Sequence, residues 1–184
     1  MSQASRQFVL ALVLGIAMAA SAGSAIAKDL GIAAFYGRWQ GTGLSKSDLS
    51  IYFQLTARDL DVVIKPRGDG FTIAWTTVQR QKGDPNKPTV EKKTTEMTFI
   101  GAGQPGVWRE AGAHDPMQAP YAWARITGNT LILNSLVIAP NGAYEFQVYR
   151  RQLTDRGMQL EFTSSREGER LRQAKGQLVK TAAE

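Results

Sequence analysis

Strict alternation of apolar and polar residues, interrupted at short intervals by turn formers, constrains this chain more than any other feature. Leu60, Val62 and Ile64 alternate with Asp59, Asp61 and Lys65, and Phe71, Ile73 and Trp75 alternate with Thr72, Ala74 and Thr76. The same period of two sets Tyr144, Phe146 and Val148 against Glu145, Gln147 and Tyr149, and Met158, Leu160 and Phe162 against Gln159, Glu161 and Thr163. Successive side chains of a strand point to opposite faces, so each run places one face on a core and the other in water.

The interruptions have their own chemistry. Pro66-Arg67-Gly68-Asp69-Gly70, Gly128-Asn129, Pro140-Asn141-Gly142, Asp155-Arg156-Gly157 and Arg166-Glu167-Gly168 supply residues that tolerate tight turns and positive φ. Strands joined this way form antiparallel meanders. The predicted strands are 38–45, 49–57, 59–66, 70–80, 90–101, 106–110, 120–127, 130–139, 142–153, 157–165 and 169–180. Discounting the short 106–110 piece leaves about ten. Open strand edges invite aggregation, so such a set must close or stack. The expected fold is all-β, an antiparallel up-and-down barrel of about eight to ten strands, with a two-sheet sandwich as the alternative. Helix is confined to one or two turns in 29–36, where Leu30, Ala33, Ala34 and Phe35 are apolar. Ser165 to Lys180 has helix-like charges, but Gly168 and Gly176 interrupt it, and its second half reads as a bulged last strand.

At the start of the chain Arg6 precedes an apolar run from Phe8 to about Ala20, and Ala25-Ile26-Ala27 fits the small-residue rule for signal-peptidase cleavage. Residues 1–27 are expected to be a secretory signal cleaved after Ala27, and 28–184 a single domain, periplasmic or secreted. No later apolar stretch approaches membrane-spanning length. The absence of cysteine excludes disulfides, thiolate metal sites and a cysteine nucleophile. A net charge of +6 favours anionic neighbours, which for an exported protein means an acidic envelope component rather than nucleic acid.

The segment Gly37-Arg38-Trp39-Gln40-Gly41-Thr42-Gly43 opens the first strand directly after Phe35-Tyr36. This G-x-W-x-G-x-G pattern resembles the calycin superfamily: lipocalins, fatty-acid-binding proteins and, most closely, nitrobindin-like barrels. The resemblance implies a lipocalin-like barrel with a short helical plug, and a floor built from Gly37, Trp39, Gly41 and Gly43. It also implies a late arginine packed over the floor tryptophan, for which Arg151, Arg170 and Arg172 are candidates. Nitrobindin-like proteins hold haem through a histidine near the C-terminal end. The one histidine here, His114, lies mid-chain, so no cofactor is expected and no metal site either.

The candidate ligand-binding residues are Trp75, Tyr121, Trp123 and Arg125. In a filled sandwich the three aromatics are core; in a hollow barrel they line a pocket. Arg125 shares the alternate face of Tyr121 and Trp123, and an arginine among inward aromatics suits a carboxylate or phosphate. On an outward face it is an ordinary solvated residue. His114-Asp115 has no marked nucleophile beside it, Asp59 and Asp61 fit a wet strand face, and no catalytic residue stands out. The expected function is that of an exported, non-enzymatic protein holding a small, mostly apolar ligand inside a barrel. The alternative is an envelope interaction module with a filled core, binding a protein or acidic polymer through a basic face or the 101–120 loop.

Overall fold

The alternating runs become ten antiparallel strands that close on themselves. The computed structural model describes residues 28–48, 55–80, 89–112 and 115–182. The proposed signal at 1–27 and His114 lie outside the described residues. The strands are β1 (Gly37–Ser47), β2 (Leu55–Arg67), β3 (Gly70–Arg80), β4 (Thr89–Gly101), β5 (Val107–Glu110), β6 (Tyr121–Thr127), β7 (Thr130–Ile138), β8 (Tyr144–Thr154), β9 (Gly157–Arg166) and β10 (Glu169–Thr181). Each pairs with its neighbours in sequence, and β10 returns to pair with β1 over Arg38↔Thr181 to Ser47↔Arg172. Closure leaves no strand edge open, which excludes the sandwich.

Two details differ from the sequence reading. The expected break at Arg58 is absent: β2 passes through it without a turn, because no Gly, Pro or Asn falls there and the alternation continues in phase, while residues 49–54 of the expected strand 49–57 lie outside the described residues. The short 106–110 piece is an authentic strand. β5 has four residues, yet it bridges β4 and β6 through Gly101↔Trp108 and Trp108↔Ala124, and the ring closes through it. The last strand runs 169–181, as expected for 169–180, with its bulge between Arg170 and Arg172.

One end of the barrel is capped by the segment that precedes β1. The Leu30 N–H donates to the Gly128 carbonyl, and the Gly128 N–H donates to the Asp29 carboxylate, which fixes the segment to the β6–β7 turn. A single 3₁₀ turn, Ile32–Phe35, then drops Phe35 into the interior, fully buried. Trp39 is 5% exposed, and its indole N–H donates to the Phe35 carbonyl at 2.9 Å. Its ring is covered by the Lys180 ammonium, 5.3 Å from the centroid. The cation over the floor tryptophan is therefore Lys180 and none of the three arginines expected there. Gly41 and Gly43 face inward where β1 coils tightly against β10, and a Cβ on either would overlap the Gln177 or Lys175 backbone carbonyl. Phe71, Phe99 and Trp108 complete the packing: the two phenyl rings stack 5.0 Å apart, with the Trp108 indole edge-on at 5.4 Å from Phe71.

Candidate functional site

Above this packed floor the barrel is hollow. A cavity of about 220 Å³ lies between β1–β4 on one side and β8–β10 on the other. The same alternation that builds the floor builds its wall. Val62 and Ile64 of β2 point into the core, and Leu60 and Arg58, two and four residues earlier on the same face, point into the cavity. On β3, Phe71 and Ile73 belong to the core, whereas Trp75, Thr77 and Gln79 line the cavity. Trp75, Tyr149 and Phe162 form an aromatic side, with Tyr149 5.0 Å from Trp75 and 4.7 Å from Phe162 between ring centroids.

The polar side of the cavity carries one sign of charge. Arg58, Lys93, Arg151 and Arg172 line it, and no Asp or Glu among the described residues does. Arg151 is the extreme case. It is 0% exposed, flanked in register by Leu131 and Leu160, and its guanidinium lies 5.2 Å from the Trp75 ring and 5.5 Å from the Tyr149 ring. None of its three side-chain nitrogens has a hydrogen-bond partner. A guanidinium carries five N–H donors in a fixed fork, and leaving them unmet away from water is costly. Burial lowers its pKa to about 10, with the neighbouring Tyr149 acting in the opposite sense, so it remains charged at neutral pH.

The inward face of β8 leads to this arginine through Glu145, Gln147 and Tyr149. The Tyr149 hydroxyl donates to Gln147 Oε1 at 3.0 Å, and Gln147 Nε2 donates to Glu145 Oε1 at 2.9 Å. Ser164 Oγ donates to the same carboxylate oxygen at 2.7 Å. Burial pushes the Glu145 carboxyl up, but the hydrogen bonds from Ser164 and Gln147 and the charges of Arg166 and Arg172 outweigh it and hold the group below its usual range. Burial raises the Tyr149 phenol above its ordinary value, with Arg151 opposing, so the phenol is neutral at physiological pH.

Of the four candidate ligand-binding residues, only Trp75 reaches the cavity. Tyr121, Trp123 and Arg125 stand on the outer wall, because β6 turns Ala122, Ala124 and Ile126 inward. The reason is volume. Trp108, Phe71 and Phe99 crowd the interior there, and small residues opposite large ones keep a narrow barrel filled without overlap. The arginine among inward aromatics exists, but it is Arg151 rather than Arg125. Strand β8 shows the same inversion, since its more apolar set, Tyr144, Phe146 and Val148, faces out. Tyr149, Phe162, Arg58 and Arg172 were not singled out for this cavity from sequence. The available signal was the uninterrupted continuation of the Met158–Leu160–Phe162 face and of the Val62–Leu60–Arg58 face beyond the length that a floor requires.

No family model matches this chain, and no curated protein matches it by sequence. Among solved structures it is similar to the S-type phycobiliprotein lyase CPES from Guillardia theta, with 12% identity and a TM-score of 0.55, over 84% of this chain and 95% of that one. It also aligns with Rv2717c from M. tuberculosis at 15% identity and a TM-score of 0.48, over 82% of this chain and 97% of that one. At such identities the likeness is one of fold: the chain is a calycin-like barrel. The expectation of a non-enzymatic protein is overturned by the first of these neighbours, which is a lyase. That protein is an enzyme on a barrel of similar fold, and the lack of a familiar catalytic motif here is no ground for excluding one.

Proposed function

We propose that the hollow half of the barrel binds a small, mostly apolar ligand that carries an acidic group, with the acid against Arg151 and the apolar body among Trp75, Tyr149, Phe162 and Leu60. The observation that carries this reading is the fully buried, unpartnered guanidinium at the base of an aromatic cavity that no acidic side chain lines among the described residues. A bound carboxylate would meet the N–H fork in charge-assisted, bidentate geometry. The leader-like residues 1–27 suggest that this occurs in an exported protein. The filled-core interaction module, with its basic face and its 101–120 loop, is less favoured because the interior is filled over only part of its length.

Calorimetry with decanoate and decanol tests the reading, since the two probes share a chain and differ in the head. A hydrogen bond to a charged group contributes about 1.5–3 kcal/mol, so decanoate should bind at least about tenfold more tightly. Arg151→Met should remove the difference while decanol affinity holds. Equal affinities in the wild-type protein, or no binding of either probe, count against the proposal.

A second reading makes the cavity a reaction site. It is favoured by the hydrogen-bonded line from Glu145 through Gln147 to Tyr149, which holds a neutral phenol beside Arg151. A phenol can hand a proton to a bound ligand while the adjacent guanidinium stabilises the negative charge left on the phenolate oxygen. If so, Tyr149→Phe keeps affinity and abolishes any conversion of the ligand detected by mass spectrometry.

A further inference from the structure

The face that β6, β7 and β8 turn away from the interior has a composition unlike a plain wet surface. It presents Tyr121 and Trp123 from β6, Leu136 from β7, and Phe146 and Val148 from β8, all half-buried. Tyr121 and Trp123 lie 5.8 Å apart between ring centroids, and Trp123 and Phe146 also 5.8 Å, so the rings form one continuous patch. At its edge Tyr144 is 42% exposed. Arg125 and Arg150 project from the same face, one on each side of Ile132 in register, and both are exposed. Every Asp and Glu is missing from the outward positions of these three strands.

We propose that this outer wall docks the barrel on an anionic lipid surface, with Tyr121, Trp123 and Phe146 at the headgroup–acyl boundary and Arg125 and Arg150 on lipid phosphates. Tyrosine and tryptophan pair an apolar body with a polar tip, which suits the boundary of a bilayer. Arg125, which has Val107 and Ile132 beside it in register, and Arg150 complement negative headgroups; the one carboxylate next to Arg150, Glu161 of β9, is held by Lys175 at 3.0 Å. A second copy of the chain is a poor occupant, because a self-complementary contact would set Arg125 and Arg150 against like charges. A rigid protein partner is disfavoured by area. Three strands about 4.8 Å apart and some 25 Å long present on the order of 400 Å², and the face is convex. A stable protein interface needs about 800 Å² from each partner. A headgroup layer can conform to a convex wall.

Flotation of the protein with vesicles of phosphatidylcholine alone, and of phosphatidylcholine mixed with phosphatidylglycerol, tests the proposal. Binding is expected only to the mixed vesicles, and it should weaken as salt is raised. Arg125→Glu with Arg150→Glu should cost at least about thirtyfold in affinity, at roughly 1 kcal/mol or more for each charge removed from the surface. Lys65→Glu with Lys92→Glu makes the same change in net charge on another wall, and should leave affinity within about threefold. In the wild-type protein, brominated lipid should quench tryptophan emission, and Trp123→Phe should remove that quenching. No binding to the mixed vesicles, equal losses in the two double variants, or quenching that survives Trp123→Phe would each overturn it. So would concentration-dependent dimerisation abolished by Trp123→Phe, which would place a second copy on the wall.

Discussion

The two halves of this barrel share the same strands and have opposite interiors. At the capped end, β1–β4 contribute Trp39, Ile64, Phe71 and Phe99 to a packed apolar core, and a 3₁₀ turn adds Phe35. A few residues further along the same faces, the strands present Ser45, Arg58, Thr77 and Lys93 around empty space. The capped half buries apolar surface at about 25 cal/mol per Å² and so supplies stability. The hollow half forgoes that packing and retains a buried cation, so it costs stability and supplies a site. Arg151, between Leu131 and Leu160, sits where the two meet. Burial lowers its pKa to about 10, so keeping the charge in the folded protein costs stability. Because the folded value lies below the unfolded one, that cost is constant at every pH below 10 and fades only as the pH rises above it.

The contrast can be broken most directly at the floor. Trp39→Ala should destabilise the protein by about 3 kcal/mol or more in urea unfolding, as for other buried aromatics. A loss under about 1 kcal/mol would show that the capped half is not the source of stability. At the junction the sign reverses: Arg151→Met should stabilise the unliganded protein by about 1–3 kcal/mol, since exchanging a buried charge for an apolar side chain of similar length removes its desolvation. A lowered melting temperature would mean that the two ring contacts outweigh the missing hydrogen bonds. In the hollow half, Trp75→Ala should cost only about 1–2 kcal/mol, because the ring already borders empty space, and should impair ligand uptake far more than Trp39→Ala does.

The smallest effect is expected outside both halves. Arg38 and Asp61 pair at 2.6 Å on the outer face of β1–β2, each about one-third exposed. The Arg38 hydrogen bond holds the Asp61 carboxyl below its usual value against an opposing push from burial. The resulting stability is complete above the ordinary carboxylate range and is lost as the pH falls through the lowered value. Solvent screening limits it, so Asp61→Asn should change stability by less than about 1 kcal/mol.

Much of the fold was legible because period-two alternation and turn chemistry are local. β3, β7 and β9 follow their runs almost residue for residue, and Trp39 with its flanking glycines marks the end that closes. The site was less legible because alternation does not say which face turns inward. Tyr121 and Trp123 outrank Ala122 and Ala124 in bulk and hydrophobicity, so local reasoning turns them in. The interior already held Trp108, Phe71 and Phe99, and only alanines fit beside them. In β8, Glu145, Gln147, Tyr149 and Arg151 form the more polar face, yet they point inward: Tyr149 and Arg151 line the cavity, and Glu145 and Gln147 are satisfied by hydrogen bonds with Ser164, Tyr149 and each other.

Local chemistry is enough to make the chain a meander of strands able to close, with Gly37–Gly43 at its start, since strand propensity, turns and a lone tryptophan between glycines act over a few residues. How far inward packing extends, and which arginine it strands without a partner, is set by the assembled barrel. Those outcomes depend on side chains contributed by strands a hundred residues apart competing for one interior volume, and no local pattern encodes that competition.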